Sequence, residues 1–187
     1  MAKIEEIIQV AAKKFFSNGF DKTSMREIAK ATNLTTAGLY YYIKDKEQLF
    51  EMVDSFIFSE LEKKILLKTD WEKNPEKRIR HLIKVSVDFV LEMPILYHII
   101  REGTMKFSIE SKNNRRRVFE LMRNIFLKLK KEGFIAKNIK NVDITVGVFA
   151  IIAIINWIPL WYKSTGGINK TKLIESISKM VIKWSLK

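Results

Sequence analysis

Apolar positions recur at three- and four-residue intervals along most of this chain, and polar, glycine and proline signals break them into helical segments. Lys3 to Asn18 reads as a first helix, closed by Gly19 with Phe20 packing back on it. Ser24 followed three residues later by Glu27 is a capping box, so a short helix starts there and turns Met25, Ile28 and Ala29 inward. Ala29 is small enough for a crossing helix to come close. The stretch Ala31, Thr32, Asn33 breaks this helix, Leu34 plugs the turn, and Thr35 is placed to cap a second short helix through Tyr41. The inward residues of that second helix are Leu39 and either Tyr42 or Ile43. Asp45 and Gln48 form another capping box, which opens a helix running to about Leu67.

This is a helix-turn-helix layout with a capped helix behind it. Thr35, Thr36, Ala37, Tyr40 and Tyr41 are left pointing outward. Their hydroxyls, methyl and aromatic edges can meet phosphate oxygens, base edges and thymine methyls in a major groove. Lys46, in the first turn of the following helix, would sit beside a duplex backbone.

Further on, Asn74 and Pro75 open a helix whose stripe is Ile79, Leu82, Ile83, Ser86, Phe89, Val90 and Met93. Pro94 restarts the chain for a short helix ending at Gly103. Residues 112 to 132 form another helix, with Val118, Leu121, Met122, Ile125 and Leu129 on one face and Gly133 as stop. Two last helices, about Val142 to Tyr162 and Thr171 to Leu186, are separated by Gly166 and Gly167. The count is about nine helices and the class is all-α.

Ile144 to Tyr162 carries no charge and is long enough to span a membrane, but Asn156 and Pro159 interrupt it and the flanks hold no anchoring pattern. A helix apolar all round in a soluble protein needs a partner to cover it, and a second copy of the chain is the simplest. The final helix offers a matching stripe. The pattern therefore predicts a homodimer through residues 142 to 186 and no membrane contact, with Ile155, Pro159, Trp161, Ile174, Ile177 and Val181 at the interface.

Composition narrows the function classes. The 187 residues include 7 Gly, 3 Pro and no Cys, which excludes disulfides and thiolate metal sites. Met1 to Phe16 lacks the uninterrupted apolar core of a signal peptide, so the cytoplasm is the expected compartment. Neither histidine, His81 nor His98, has metal-ligand spacing or a nucleophile motif beside it, and Gly166-Gly167 lacks the strand context of a phosphate loop. An enzyme, a metal site or a cofactor is not expected. The net charge of +13 is unevenly spread: residues 1 to 47 hold 8 bases and 6 acids, a balance of +2, which leaves +11 for the rest. Between 101 and 140, 12 bases face 4 acids. Such a stretch is either a solvated basic surface or an electropositive body that draws in an anionic ligand or DNA.

With Ala11, Ala12, Phe16, Gly19 and Phe20 ahead of Thr23, Ser24, Ile28, Ala29, Leu39, Tyr40, Tyr42, Lys46 and Glu47, the first quarter of the chain resembles the DNA-binding domain of the TetR family of transcriptional regulators. One position departs: many members place Gly two residues after the Ser or Thr that opens the recognition helix, where this chain has Ala37 and then Gly38. The resemblance implies a DNA-binding head over residues 1–47 and a ligand-binding and dimerisation body over 48–187. It also implies a homodimer on a palindromic operator, and repression relieved by a small molecule. Carried over residue by residue, Thr23, Ser24, Tyr40 and Lys46 resemble backbone-contacting positions, and Thr35, Thr36, Ala37 and Tyr41 resemble base-contacting ones. Family members hold their effector between the middle helices. The apolar and aromatic lining expected here is Phe89, Met93, Leu96, Tyr97, Phe107, Phe126, Phe149, Ala153 and Trp157, with Asn156 as polar anchor. An apolar tunnel in a basic body suits a small hydrophobic or amphiphilic effector, a fatty acid or acyl-CoA first and a neutral hydrophobic compound second. The competing reading is a basic helical adaptor that binds protein or membrane without recognising specific DNA.

Overall fold

The structure, a computed structural model, describes residues 2–69, 72–92 and 109–187. Eight helices lie among them: α1 (Ala2–Asn18), α2 (Met25–Ala31), α3 (Thr36–Tyr42), α4 (Lys46–Thr69), α5 (Pro75–Glu92), α6 (Ile109–Lys131), α7 (Asn141–Trp161) and α8 (Lys170–Ser185). The all-α expectation holds and the count is near the nine expected. The short helix placed between Pro94 and Gly103 lies outside the described residues. One pairing left no mark on the helical pattern: Ile135 bridges Leu186 in antiparallel fashion, with the Ala136 N–H donating to the Ser185 carbonyl at 3.2 Å.

The chain forms two compact units, Met1–Ser59 with Met93–Asn114 and Glu60–Glu92 with Arg115–Lys187. In the first, Ile7, Ala11 and Phe15 of α1 meet Ile28 and Ala29 of α2, Leu39 of α3 and Leu49, Phe50 and Val53 of α4 in one buried core. Gly19 adopts φ +89°, a conformation that ends α1 at little steric cost. The turn it makes folds Phe20 back so that its ring lies 5.4 Å from Phe15 and 5.3 Å from Phe50, edge-on to the latter. Such pairs add about 0.5–1.5 kcal/mol each beyond the area they bury.

In the second unit α5 packs against both α7 and α8. It contributes Ile79, Leu82, Ile83 and Ser86, all buried, while Phe89 and Val90 at its far end are only half-buried. Asn74 caps α5 by accepting from the Lys77 amide at 3.0 Å, with Pro75 in the first helical position as the sequence predicts. Two ion pairs tie the bundle together. Arg78, with its side chain 8% exposed, donates to the Glu132 carboxylate at 2.7 Å and to the Glu72 carbonyl. Asp88 accepts from Lys84 on its own helix and from Lys170 of α8 at 2.7 Å. Burial pushes the Asp88 carboxyl up, but the hydrogen bonds from Lys170 and Lys84 outweigh it and hold the group below its ordinary value. The hydrogen bond to Asp88 raises the Lys170 ammonium in return.

The α7 helix is long and apolar enough to cross a membrane by length and composition, yet it is two-sided here. Ile144, Val148, Ile151, Ile155 and Ile158 are buried at three- and four-residue spacing, while Val142, Val146, Phe149, Trp157, Leu160 and Trp161 are exposed. It approaches α8 closely at Gly147, where an added Cβ would lie 2.0 Å from the Trp184 ring. That ring in turn packs 5.9 Å from Phe126.

Two outcomes follow. Gly147→Ala overpacks the contact with Trp184 and is expected to cost about 1–3 kcal/mol in urea unfolding; unchanged stability would show that Trp184 yields freely. Because the folded Asp88 pKa is depressed, its pairing stabilises the fold above the ordinary carboxylate range and loses that effect as pH falls through the lowered value. Asp88→Asn should therefore melt below the parent at neutral pH, and the gap should close on acidification. A gap independent of pH would remove the carboxylate from this role.

Candidate nucleic-acid interface

The local chemistry of residues 23 to 48 fixes a short helix against the rest of the head. The Ser24 hydroxyl accepts from the Glu27 amide at 3.2 Å while the Glu27 carboxylate accepts from the Ser24 amide at 2.8 Å, the reciprocal box that the sequence predicts. Those bonds from the Ser24 amide, and then from its hydroxyl, hold the Glu27 carboxyl below its ordinary value. At the other end of α2 the chain reverses through Asn33, at φ +55°, a left-handed conformation that Asn tolerates better than most residues. The Leu34 N–H closes the turn on the Ala29 carbonyl at 2.8 Å. Thr35 then caps α3, its hydroxyl accepting from the Gly38 amide at 3.0 Å. A Cβ on residue 38 would stand 3.1 Å from that hydroxyl, so a larger residue there would press on the Thr35 cap.

Only Leu39 of α3 is buried, and Ile43 just beyond it completes the anchor; Tyr42, the other candidate, is exposed. Thr35, Thr36, Ala37, Tyr40 and Tyr41 all point outward as expected. Tyr41 is 85% exposed and Tyr40 49%, unusual for aromatic side chains with nothing to cover them. The Tyr41 and Tyr42 rings stand at 88° to each other, 5.2 Å apart. Together these residues form a ridge of hydroxyls and ring edges along one side of a helix, with Ser24 also exposed on the same unit.

Two expected backbone-contacting residues sit differently. Thr23 is 1% exposed and its hydroxyl is within hydrogen-bond reach of the Lys14 and Gly19 carbonyls, at 3.2 and 2.8 Å, so its side chain ties α1 to α2 and leaves no group on the outer face. Lys46 is half-buried: its ammonium lies 4.3 Å above the Phe20 ring and 3.3 Å from the Asp21 carbonyl. It is held near the exposed side but already has two partners. Sequence reasoning also missed Lys3, whose ammonium donates to the Thr32 carbonyl at the end of α2 at 2.5 Å. It missed as well that Gln48 reaches back to the Lys44 amide, at 2.6 Å, one residue before the Asp45 that caps Gln48 itself.

The body residues singled out by sequence fall into three groups. Met93, Leu96, Tyr97 and Phe107 lie outside the described residues. Phe126 is fully buried and Phe89 half-buried. Phe149, Ala153, Asn156 and Trp157 emerge on the solvent side of α7, where Phe149 stacks on Phe119 with centroids 4.3 Å apart. Of the residues expected between copies, Ile155, Ile177 and Val181 are buried within the chain, Pro159 and Ile174 are half-buried, and Trp161 is exposed. On α7, Ile155 thus turns inward and Phe149, Ala153, Asn156 and Trp157 turn outward, while Trp161 is exposed as an interface residue would be. A helix apolar at nearly every position carries no periodicity from which to choose its inner side. A groove of about 440 Å³ between α5 and α8, lined by Lys77, Arg80, His81, Lys84 and Ser178, includes Ile174 and none of the expected effector-lining residues.

A capped helix-turn-helix with an outward polar and aromatic ridge is the architecture of a DNA-binding transcription regulator. Residues 7–53 match the family model described as bacterial regulatory proteins, tetR family, and residues 72–184 match that of the tetracyclin repressor-like C-terminal domain. The chain belongs to the TetR family, whose members are transcription regulators and not enzymes. It is similar to the probable acrEF/envCD operon repressor of Escherichia coli K12, 26% identical over 104 residues, covering 50% of this chain and 46% of that protein. It is also similar to the nucleoid occlusion factor SlmA of Vibrio cholerae, 29% identical over 128 residues, covering 68% and 64%. The chain thus spans about half to two thirds of the length of these relatives. Among solved structures, AibR in complex with isovaleryl coenzyme A and operator DNA is 26% identical with a TM-score of 0.71, over 97% of each chain. The fatty acid degradation regulator FadR from Bacillus halodurans, at 14% identity, shares the fold with a TM-score of 0.80 over 97% of this chain and 95% of its own.

Tyr41→Ala removes the most exposed ring of the ridge and should change the ranking of duplex sequences bound. Lys46→Ala should weaken binding to all of them equally. Competition binding with a panel of duplexes separates the two; identical profiles for both variants and the parent would remove α3 from the reading role.

Proposed function

We propose that this protein is a homodimeric, cytoplasmic repressor that binds a palindromic operator through α3 and leaves it when a hydrophobic or amphiphilic acyl compound, a fatty acid or acyl-CoA, occupies the body. Residues 1–47 serve as the reading head, and residues 48–187 hold the effector and the dimer contact. The observation that carries the reading is the ridge of Thr36, Ala37, Tyr40 and Tyr41, apolar and aromatic in large part yet open to solvent. Side chains of this kind, left uncovered on a rigid head, suit contact with base edges and thymine methyls. Ser24 and Lys46 stand nearby for phosphates. The acyl class draws support from AibR, whose complex contains isovaleryl coenzyme A and operator DNA.

The dimer contact is reassigned to the outer face of α7. Val142, Val146, Phe149, Trp157, Leu160 and Trp161 make an uncharged exposed stripe, with Trp157 61% exposed. A monomeric soluble protein rarely leaves a stripe of this extent uncovered. Two copies related by a two-fold axis read two half-sites about one helical turn apart, or a multiple of that. Release requires the effector to bind the non-DNA state more tightly, and a coupling of about 1–3 kcal/mol suffices.

The test is a titration of the protein onto labelled DNA from upstream of its own gene, followed by anisotropy with and without a long-chain acyl-CoA. Tight binding that resists competitor and is abolished by acyl-CoA is the expected result. Binding indifferent to acyl-CoA discards that effector class, and no operator found by this route or by site selection discards the repressor. Trp157→Arg should convert a dimer in light scattering to a monomer and weaken operator binding with it. A parent that is itself monomeric at micromolar concentration would refute the dimer.

A further inference from the structure

Sequence-specific DNA binding draws a large share of its affinity from neutralising phosphates, and the head carries a balance of only +2. The positive charge lies elsewhere. Residues 115 to 140 hold nine bases and two acids. Both acids are already engaged within the fold: Glu132 binds the buried Arg78 at 2.7 Å, and Glu120 lies 3.3 Å from Arg123. Arg116 and Lys131 are exposed on α6, and Lys137 and Lys140 are exposed in the segment that follows it. Lys130 donates to Asn141 at 3.0 Å, which holds the end of that segment beside the last turn of α6, where Lys131 lies.

We propose that this surface of α6, continued through Lys137 and Lys140, is a second contact for duplex DNA that holds phosphates without reading sequence. Glu120 and Glu132 are each paired with an arginine, and Asp143 beside Lys140 accepts from the Lys140 amide, so bases outnumber acids heavily over this surface. An anionic membrane is the other polyanion such a surface could meet. However, among the described residues of α6 no large apolar side chain is exposed to insert at a lipid interface, and of the two exposed beside Lys137 and Lys140, Phe134 and Val142, the second belongs to the α7 stripe proposed above to meet a second copy. DNA is the polyanion that a regulator of this family already engages. The inference depends on the proposed DNA-binding function only for that choice of partner.

The test uses the full chain with Arg116, Lys131, Lys137 and Lys140 all replaced by Gln, and a random-sequence duplex as probe. Each lost phosphate contact lowers the slope of log affinity against log salt by about 0.9. The expected result is at least a tenfold loss of random-duplex affinity at low salt and a slope smaller by about two or more, with thermal unfolding unchanged. Replacing the same lysines by Arg and Arg116 by Lys should retain binding. A smaller loss overturns the proposal, and so does a parent that binds phosphatidylglycerol vesicles in preference to the duplex. Failure of the operator reading is separable, since it shows as a parent without sequence preference, whatever the Gln variant does on random DNA.

Discussion

The α3 helix, which we propose reads DNA, has seven residues and buries one of them, so its position is imposed from outside. An isolated helix of that length is not stable in water. What holds it is the Thr35 cap, the Leu39 and Ile43 anchors, and the turn that Asn33 makes in a left-handed conformation. Those anchors are firm because the cluster of Phe15, Phe20 and Phe50 fixes α1 against α4 around them. Tyr40 and Tyr41 stay exposed while Leu39 and Ile43 go into that small core. The ridge we propose for a groove of DNA is what remains after the head has used its other apolar residues to fold.

The body obeys the same accounting on a larger scale. Its central helix, α5, is covered by α7 and α8, and the isoleucine-rich side of α7 completes that core. The apolar residues on the other side of α7 are surplus to the single chain. That surplus supports the second copy we propose there, and it fits a span of membrane-like composition that is two-sided within the chain. Charge is divided as sharply: the head is near balance, while α6 and the segment after it are strongly positive.

Local signals were legible in the sequence wherever one residue type has one physical use. The Ser24–Glu27 box, the Thr35 cap, the Asn74–Pro75 start and the Gly19 and Gly133 stops all appear where the residues predict them. The all-α class and the outward face of α3 follow from the same reading. What could not be read were choices that depend on contacts distant in sequence. Arg78 looks like a surface cation on an amphipathic helix, yet it is buried because Glu132, 54 residues away, meets it. Thr23 looks available to a phosphate but spends its hydroxyl on the carbonyls of α1 and its end. The inner side of α7 is set by α5, and its own sequence is apolar on every side.

Selection of bound sites from a random duplex pool by the full chain, followed by sequencing, is the most direct test that α3 reads DNA from a two-fold dimer. The account predicts enrichment of a palindrome whose half-sites are centred about 10 base pairs, or a multiple of the helical turn, apart. Recovery of no enriched sequence, or of a lone half-site without symmetry, would contradict it.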